Sequence, residues 1–240
     1  MSKDNLIRRT EQFVKQSFLA TQGILLIAHD FQHVDRVRHT AMFIAKREGY
    51  KELEKLEIAA LLHDVGLTRI NDKDERINHG PAGARIAEEF LRNSSDFKAS
   101  DIEQISDAIK YHSLPPWIVH EYLQGLGGKG KLIKIIRDAD LLDGLGAVGL
   151  MRAFSSKYFL AAYNPLNIKG DTCEVSQEER AKKFGGMRPP VNTVIDQVNQ
   201  QIRNFDNLHT NTAKEMAISL IRYMKDFIVQ LEKEILVTIK

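Results

Sequence analysis

The heptapeptide ALLHDVG, residues 60–66, places His63 and Asp64 side by side at the end of an apolar run. The surrounding sequence predicts a helix over 51–66 whose inner face carries Leu56 and then, in register, His63. An ionised carboxylate in a dry core costs several kcal/mol unless it is paired or bound to a cation. The fold and the function therefore depend on which groups elsewhere in the chain accompany this pair.

The composition is that of an ordinary globular protein. The chain has 240 residues, of which 43% are hydrophobic and 28% charged, and its net charge of +2 is too small to predict a nucleic-acid or membrane partner. Its single cysteine, Cys173, excludes an intramolecular disulfide and favours a reducing compartment, so we expect a cytoplasmic protein. No apolar run reaches the length of a membrane span, and the first residues lack the apolar stretch of a signal peptide.

The hydrophobic spacing predicts an all-α fold, because apolar residues recur at steps of three and four and alternating strand patterns are scarce. Ser100 and Glu103 predict a capping box for one helix, and the GLGGKG sequence at 125–130 predicts a flexible connection. We predict helices at 3–22, 29–50, 51–66, 100–113, 131–154, 192–206 and 211–238, and a further helix that starts near residue 79.

The helices and the irregular stretches divide the chain into three segments, which we expect to form a single domain. Residues 1–154 contain the inward-facing histidines and aspartates, and 191–240 should form a helical hairpin on the same core. The proline- and glycine-containing segment 155–190 is expected to be irregular, either as a lid over a pocket or as a surface excursion. The regular apolar spacing of the last helix also allows an oligomer through the C-terminal helices.

Several predicted helices carry an imidazole or a carboxylate where the periodicity predicts burial. These residues are His33, His63, Asp64, His112 and Asp140, with His79 at a helix start. Arg36 and Arg137 leave open an explanation by salt bridges, but arginine does not explain several imidazoles gathered around the same carboxylates. A divalent cation does, and nitrogen with carboxylate oxygen suits Mn, Mg, Fe, Ni or Zn. The absence of cysteine from the set argues against a structural zinc site.

Three motifs together resemble the HD superfamily of metal-dependent phosphohydrolases, and more narrowly its small bacterial hydrolases. They are HVDRV at 33–37, AALLHDVG at 59–66 and IRDADLLDGLGAVG at 136–149. The resemblance covers about residues 24–154 by its motifs and extends more weakly to the C-terminal helices. It implies an HD-domain helical bundle with additional C-terminal helices.

The resemblance implies metal ligation by His33, His63, Asp64 and one late aspartate. Asp138 and Asp140 compete for that last position, and the Ala-Asp-Leu sequence around Asp140 matches the family better. Asp138 is then expected to orient a ligand histidine or a basic residue.

His79 and His112 match positions that bind a second metal in binuclear members of the family and that face the substrate phosphate in mononuclear ones. Both alternatives stay open from the sequence; we expect one divalent ion, with Mn or Mg favoured. If they are not ligands, either histidine is a candidate for protonating the leaving oxygen. His29 and Asp30 form a second His-Asp pair, in which Asp30 is expected to cap the following helix.

The implied chemistry is hydrolysis of a nucleotide phosphate ester or anhydride by a metal-activated water, for example of a nucleoside triphosphate to the monophosphate and pyrophosphate. Asp64 is the candidate for orienting that water or accepting its proton, and Arg36 for stabilising phosphoryl charge, although Arg36 could equally pair with a ligand aspartate. Lys73, Arg76 and Arg152 are candidates for substrate binding, with solvated surface as the alternative for the first two. The competing function is a non-catalytic HD module that binds a nucleotide or a protein partner.

Overall fold

Helices account for the regular structure of the part of the chain that the computed structural model describes, residues 3–21, 29–69, 79–94, 97–173, 175–184 and 189–238. Within these ranges the only β pairing is two isolated bridges, so the all-α prediction is confirmed. The helices are α1 (Lys3–Ala20), α2 (Phe31–Arg47), α3 (Leu53–Leu62), α4 (His79–Ser94), α5 (Ala99–His112), α6 (Pro116–Leu126), α7 (Lys131–Asp143), α8 (Gly146–Ser156), α9 (Gln177–Phe184), α10 (Val194–Ile202) and α11 (Asn211–Thr238). Short 3₁₀ turns lie at Val65–Arg69, Gly127–Gly130 and Arg203–Asn207.

The chain forms two compact units. The first consists of Met1–Asp140 with Asn207–Lys214, and the second of Leu141–Asp206 with Glu215–Lys240. The expected segment boundaries at 154 and 190, the single domain and the lid formed by 155–190 stay predictions.

Helix α3 is the centre of the first unit. Helices α1, α2 and α5 pack against it, and α4 packs against α5 and the 3₁₀ turn that follows α3. Ile58, Leu61 and Leu62 are fully buried, as are the two alanines between them, so the 58–62 half of α3 is covered on all sides rather than on one face. This explains the continuous apolar run at 58–62, because a helical segment that is hydrophobic all round must be buried all round. The His63–Asp64 pair thus directly follows the most deeply buried helix of the unit.

A buried lysine links α3 to α5. The Nζ of Lys55 lies 2.7 Å from a carboxylate oxygen of Asp101 and 2.6 Å from one of Glu52, and it donates to the side-chain oxygen of Gln104 at 3.0 Å. Burial alone would lower the pKa of Lys55, but the hydrogen bonds to Asp101 and Glu52 raise it above its usual value. The hydrogen bond from Lys55 likewise lowers the pKa of Asp101.

The Lys55→Met variant is expected to lower the free energy of unfolding at pH 7 by about 2 kcal/mol, because hydrogen bonds to charged groups are lost from a buried position. Since the pKa of Asp101 in the folded protein lies below its ordinary value of 3.8, the stabilisation is present above that pH and is lost as the pH falls through the folded pKa. Urea unfolding at several pH values should show the difference shrinking in acid. Lys51→Met, at an exposed position, is the control; an equal loss in both variants would contradict the prediction.

The second unit has its own contacts. Helix α8 packs against α10, whose start carries a capping box between Thr193 and Asp196. Lys169 pairs with Glu232 of α11 at 2.9 Å. Among the described residues, no helix combines the length and the apolar composition that a membrane crossing would require.

The structure corrects four details of the sequence analysis. The helix predicted at 131–154 is two helices, because the chain turns at Gly146 with a φ of +66°, which favours glycine. Helix α5 begins at Ala99 with Lys98 at its N-cap and no side-chain cap, so the Ser100–Glu103 capping box is wrong. The region after Pro115 forms α6, with Pro116 in its first turn. The 127–130 part of GLGGKG is a 3₁₀ turn.

The remaining helical predictions match more closely. Segment 155–190 contains only α9 as a regular helix among its described residues. The last helix, Asn211–Thr238, coincides with the predicted 211–238. Packing of the C-terminal helices on the same core, and an oligomer through them, stay predictions.

Candidate metal centre

Seven side chains of the first unit converge on one cluster. They come from residues before and within α2, from the end of α3, the start of α4, the end of α5 and from α7. The seven are His29, His33, His63, Asp64, His79, His112 and Asp140. The structure thus brings together all four residues expected to be metal ligands and both histidines expected to lie nearby.

Asp64 is the centre of this cluster and is 1% exposed. Its Oδ2 lies 2.8 Å from Nδ1 of His29, 3.3 Å from Nε2 of His33 and 3.5 Å from Nε2 of His63. Its Oδ1 lies 3.1 Å from Nε2 of His79 and 3.3 Å from Nε2 of His112. The two carboxylate oxygens therefore face two different groups of imidazoles.

Backbone carbonyls fix the tautomers of two of these histidines. Nδ1 of His63 lies 2.7 Å from the carbonyl oxygen of Ala60, and Nδ1 of His112 lies 2.6 Å from that of Ile109. A carbonyl only accepts, so each Nδ1 carries a hydrogen, and in the neutral form of either ring the lone pair of Nε2 points into the cluster. Metal-binding histidines are held in this way in proteins.

The cluster fits a divalent cation. Nε2 of His63 lies 3.3 Å from Nε2 of His33, which in turn lies 3.4 Å from Oδ1 of Asp140. Two ligand atoms about 2.1 Å from one ion are about 3.0–3.4 Å apart at octahedral or tetrahedral angles. When these rings are neutral and turn their Nε2 lone pairs inward, the lone pairs repel one another at such distances, and a cation between them removes the repulsion. His33, His63 and Asp140, and likewise His63, Asp64 and His112, are grouped closely enough to hold an ion.

The two late aspartates have different surroundings. Asp140 joins the cluster through His33. Asp138 accepts hydrogen bonds from the backbone N–H of His209 at 2.8 Å and from the N–H and hydroxyl of Thr210, both at 2.7 Å. None of its hydrogen bonds to the described residues goes to a ligand histidine, and the expectation that Asp138 orients a histidine or a basic residue stays a prediction. Asp138 anchors the residues that lead into α11.

Protonation states in the cluster suit metal binding. Burial opposes ionisation of Asp64, but the neighbouring imidazoles of His63 and His29, the latter also through a hydrogen bond, outweigh it and hold the pKa of Asp64 well below its usual value. Burial also opposes ionisation of Asp140, whose pKa is lowered by the hydrogen bond and charge of His33. Burial lowers the pKa of His112. Carboxylates are thus charged and His112 neutral near neutral pH, the forms that a metal requires.

Close backbone packing positions His79 and His112. A Cβ at Gly66 would overlap with the carbonyl of His79 and the backbone nitrogen of Gly83, and one at Gly80 would overlap with the carbonyl of Lys110. Gly66 therefore lets the turn after α3 approach the start of α4. The three helix ends that carry His63, His79 and His112 can meet for this reason.

Arg137 stabilises the end of α5 that carries His112. The sequence analysis named it only as a possible salt-bridge partner of a carboxylate. Its Nη1 donates to the carbonyls of Tyr111 at 3.1 Å and His112 at 2.6 Å. Burial lowers the pKa of this guanidinium, while Asp140 and Asp138 oppose that change. Arg137 therefore holds the carboxyl end of α5, where cations interact favourably with the helix dipole.

The basic residues that were predicted to contact the substrate lie in different parts of the chain. Arg36 lies one turn after His33 on α2 and is half-buried. Arg152 lies on α8 in the second unit, and its Nη1 pairs with Asp143 at 2.8 Å. Lys73 and Arg76 lie outside the described residues. Their expected contacts with substrate stay predictions.

Sequence reasoning missed one member of the cluster, His29. Its spacing of four residues before His33 was the available signal, since such spacing brings two side chains near one another at a helix start. The expected role of Asp30 is confirmed, because its side chain caps α2 by accepting from the backbone N–H of His33 at 2.9 Å.

Comparison with known proteins agrees with this geometry. A family model described as HD domain matches residues 30–145, which include His33, His63, Asp64, His79, His112 and Asp140. YpgQ of Bacillus subtilis, named as an uncharacterized protein, is 26% identical over 216 residues, which span 86% of this chain and 84% of YpgQ.

Two crystal structures show the same fold. B. subtilis YpgQ in complex with ADP superposes with a TM-score of 0.61 at 23% identity and covers 98% of this chain and 97% of its own. An HD-superfamily hydrolase from Bacillus thuringiensis has a TM-score of 0.65 at 24% identity, over 97% of this chain and 98% of its own. With the histidine and aspartate residues of the HD motif converging in one buried cluster, residues 30–145 of this chain form an HD domain.

Proposed function

We propose that this chain is a divalent-metal-dependent phosphohydrolase that cleaves a phosphate ester or anhydride of a nucleotide. One observation carries the proposal: the buried carboxylate of Asp64 has imidazole nitrogens facing both of its oxygens, and Asp140 lies at the same cluster. A packed core has no need of so many convergent ligand atoms, whereas a hydrolytic metal site does.

We assign His33, His63, Asp64 and Asp140 to one ion, with Mn or Mg favoured. A divalent ion there would polarise a phosphoryl oxygen and lower the pKa of a bound water. The four residues leave coordination positions for water and substrate, as catalytic sites require. His79 and His112, which face the other oxygen of Asp64, are then directed at the phosphate side of the site.

Within this proposal each residue has a defined task. Asp64 orients the attacking water and accepts its proton. Arg36 supplies a fixed positive charge to the phosphoryl oxygens. His112 is neutral because burial lowers its pKa, and its Nδ1–H is held by a carbonyl, which leaves His79 to donate a proton to the leaving oxygen.

Nucleotides are the substrate class that the comparisons support. The structure of YpgQ contains ADP, and a solved structure with the same fold is described as an HD-superfamily hydrolase. For this chain we propose a nucleoside triphosphate, cleaved to the monophosphate and pyrophosphate. Anhydride cleavage needs only positioning and charge stabilisation of the phosphoryl groups, which the cluster and Arg36 supply.

A nucleotide panel tests the proposal directly. Metal-stripped protein is incubated with nucleoside mono-, di- and triphosphates and with Mn, Mg, Fe, Ni or Zn, and the products are identified by mass. We expect turnover only with added metal, with a triphosphate giving pyrophosphate rather than orthophosphate. Metal analysis of the active protein should give one ion per chain.

The controls separate this function from its alternative. His63→Ala should lose turnover, whereas His39→Ala, at an exposed position on α2, should retain it. Saturable nucleotide binding without turnover on any substrate and metal would overturn the proposal in favour of a non-catalytic binding module.

A further inference from the structure

His29 approaches Asp64 differently from the other four imidazoles. His33, His63, His79 and His112 all turn Nε2 toward the carboxylate at 3.1–3.5 Å. His29 turns Nδ1 toward Oδ2 at 2.8 Å, the shortest contact that Asp64 makes with an imidazole. This difference in atom and distance indicates a different task.

The distance matches a hydrogen bond better than shared coordination. A charge-assisted N–H···O bond spans about 2.7–2.9 Å. Two atoms that bind one ion are about 3.0–3.4 Å apart at common coordination angles, close to the 3.3 and 3.5 Å that separate Nε2 of His33 and of His63 from Oδ2 of Asp64. Because the ionised carboxylate can only accept, Nδ1 of His29 carries the hydrogen.

The residue after His29 explains how the ring is held. Asp30 caps α2 through its hydrogen bond from the N–H of His33, so the backbone immediately after His29 is tied to the helix that carries His33. The ring of His29 also packs edge-on against that of His33, with centroids 5.2 Å apart. The His29–Asp30 pair is therefore connected to two cluster residues at once, one through each side chain.

We propose that His29 is a positioning residue for the metal-binding carboxylate: its Nδ1–H fixes Oδ2 of Asp64 and thereby keeps Oδ1 turned toward His79 and His112. This inference rests on the proposed metal site but not on any substrate. A carboxylate on a freely rotating bond would lose this orientation and with it part of its metal affinity. Partners of this kind contribute about 10- to 100-fold in metal affinity.

Mn²⁺ titration of the metal-stripped protein by calorimetry tests the proposal without nucleotide. His29→Ala should weaken binding by about 10- to 100-fold. His29→Asn should restore most of the affinity, because its amide N–H lies near the position of Nδ1, whereas His29→Gln places its amide farther out and should not. His39→Ala, at an exposed position on the helix that follows His29, is the control and should bind as the unmodified protein does.

Each outcome has one meaning. Wild-type affinity in His29→Ala overturns the proposal, and so does an asparagine variant as weak as the alanine variant, which would make His29 a direct ligand. The ring is 27% exposed, so these substitutions leave the core intact, and circular dichroism of the metal-free variants verifies this. Absence of nucleotide turnover would refute the proposed function alone, since the titration measures metal binding only.

Discussion

Replacing Asp64 with asparagine is expected to lower metal-dependent nucleotide hydrolysis by about 10³-fold or more. A catalytic metal supplies several kcal/mol of charge stabilisation, and each 1.36 kcal/mol corresponds to a factor of ten in rate. The amide has no charge to hold the ion, and its NH₂ group would replace one of the two oxygens that face imidazoles. Both the metal and the proton acceptor are lost in one substitution.

The measurement is kcat/KM with mass-identified products across a Mn²⁺ titration. Asp35→Asn is the matched control, because Asp35 lies on α2 at 41% side-chain exposure and pairs only weakly with Arg38 at 3.5 Å. That variant should keep its activity. Full activity of Asp64→Asn at saturating metal would show that the cluster is not the catalytic centre.

The second prediction with a large expected effect concerns the stability of the protein when Asp138 is replaced. Asp138→Ala is expected to lower the free energy of unfolding of the metal-free protein by about 3 kcal/mol, because a buried donor that loses its acceptor costs about 1–3 kcal/mol. Three donors of His209 and Thr210 lose theirs. Burial raises the pKa of Asp138 to about 6, and removing this unfavourable burial offsets part of the loss.

Asp140→Ala is the matched comparison, two residues along the same helix. It leaves the three hydrogen bonds of Asp138 intact but removes a carboxylate from the cluster. Urea unfolding and Mn²⁺ titration of both variants should give opposite patterns, with stability lost in Asp138→Ala and metal affinity lost in Asp140→Ala. Loss of Mn²⁺ affinity in Asp138→Ala without loss of stability would make Asp138 the ligand.

Periodicity predicted the helices well where a helix buries a face of its own unit. The last helix was placed at its observed bounds, and α3 was placed within four residues at either end. Periodicity failed to predict helix boundaries where a single residue changes the backbone conformation. Gly146, in the left-handed region, divides a stretch whose apolar spacing continues without interruption, and Pro116 starts α6 in a stretch for which no helix was predicted.

The glycines show a second limit of sequence reasoning. Gly66 looks like a helix breaker, but its role is the close approach of the turn after α3 to α4. Steric contact with a segment thirteen or more residues away leaves no local pattern, since any small residue satisfies the local backbone. Only the packed structure shows which glycine ends a helix and which one allows two backbone segments to approach each other.

The sequence by itself determined the helical class and which residue types form the cluster, because an imidazole or carboxylate in register with apolar residues must face the core. It left Asp138 and Asp140 as rivals for one ligand position and gave His29 no role. Only the tertiary structure distinguishes their surroundings, since the direction of a side chain at a helix end depends on what packs against it: Asp138 accepts hydrogen bonds from residues 209–210, and His29 lies 2.8 Å from Asp64. The distances between segments that are remote in sequence are set by packing. A metal site depends on such distances, because its ligands come from several of these segments.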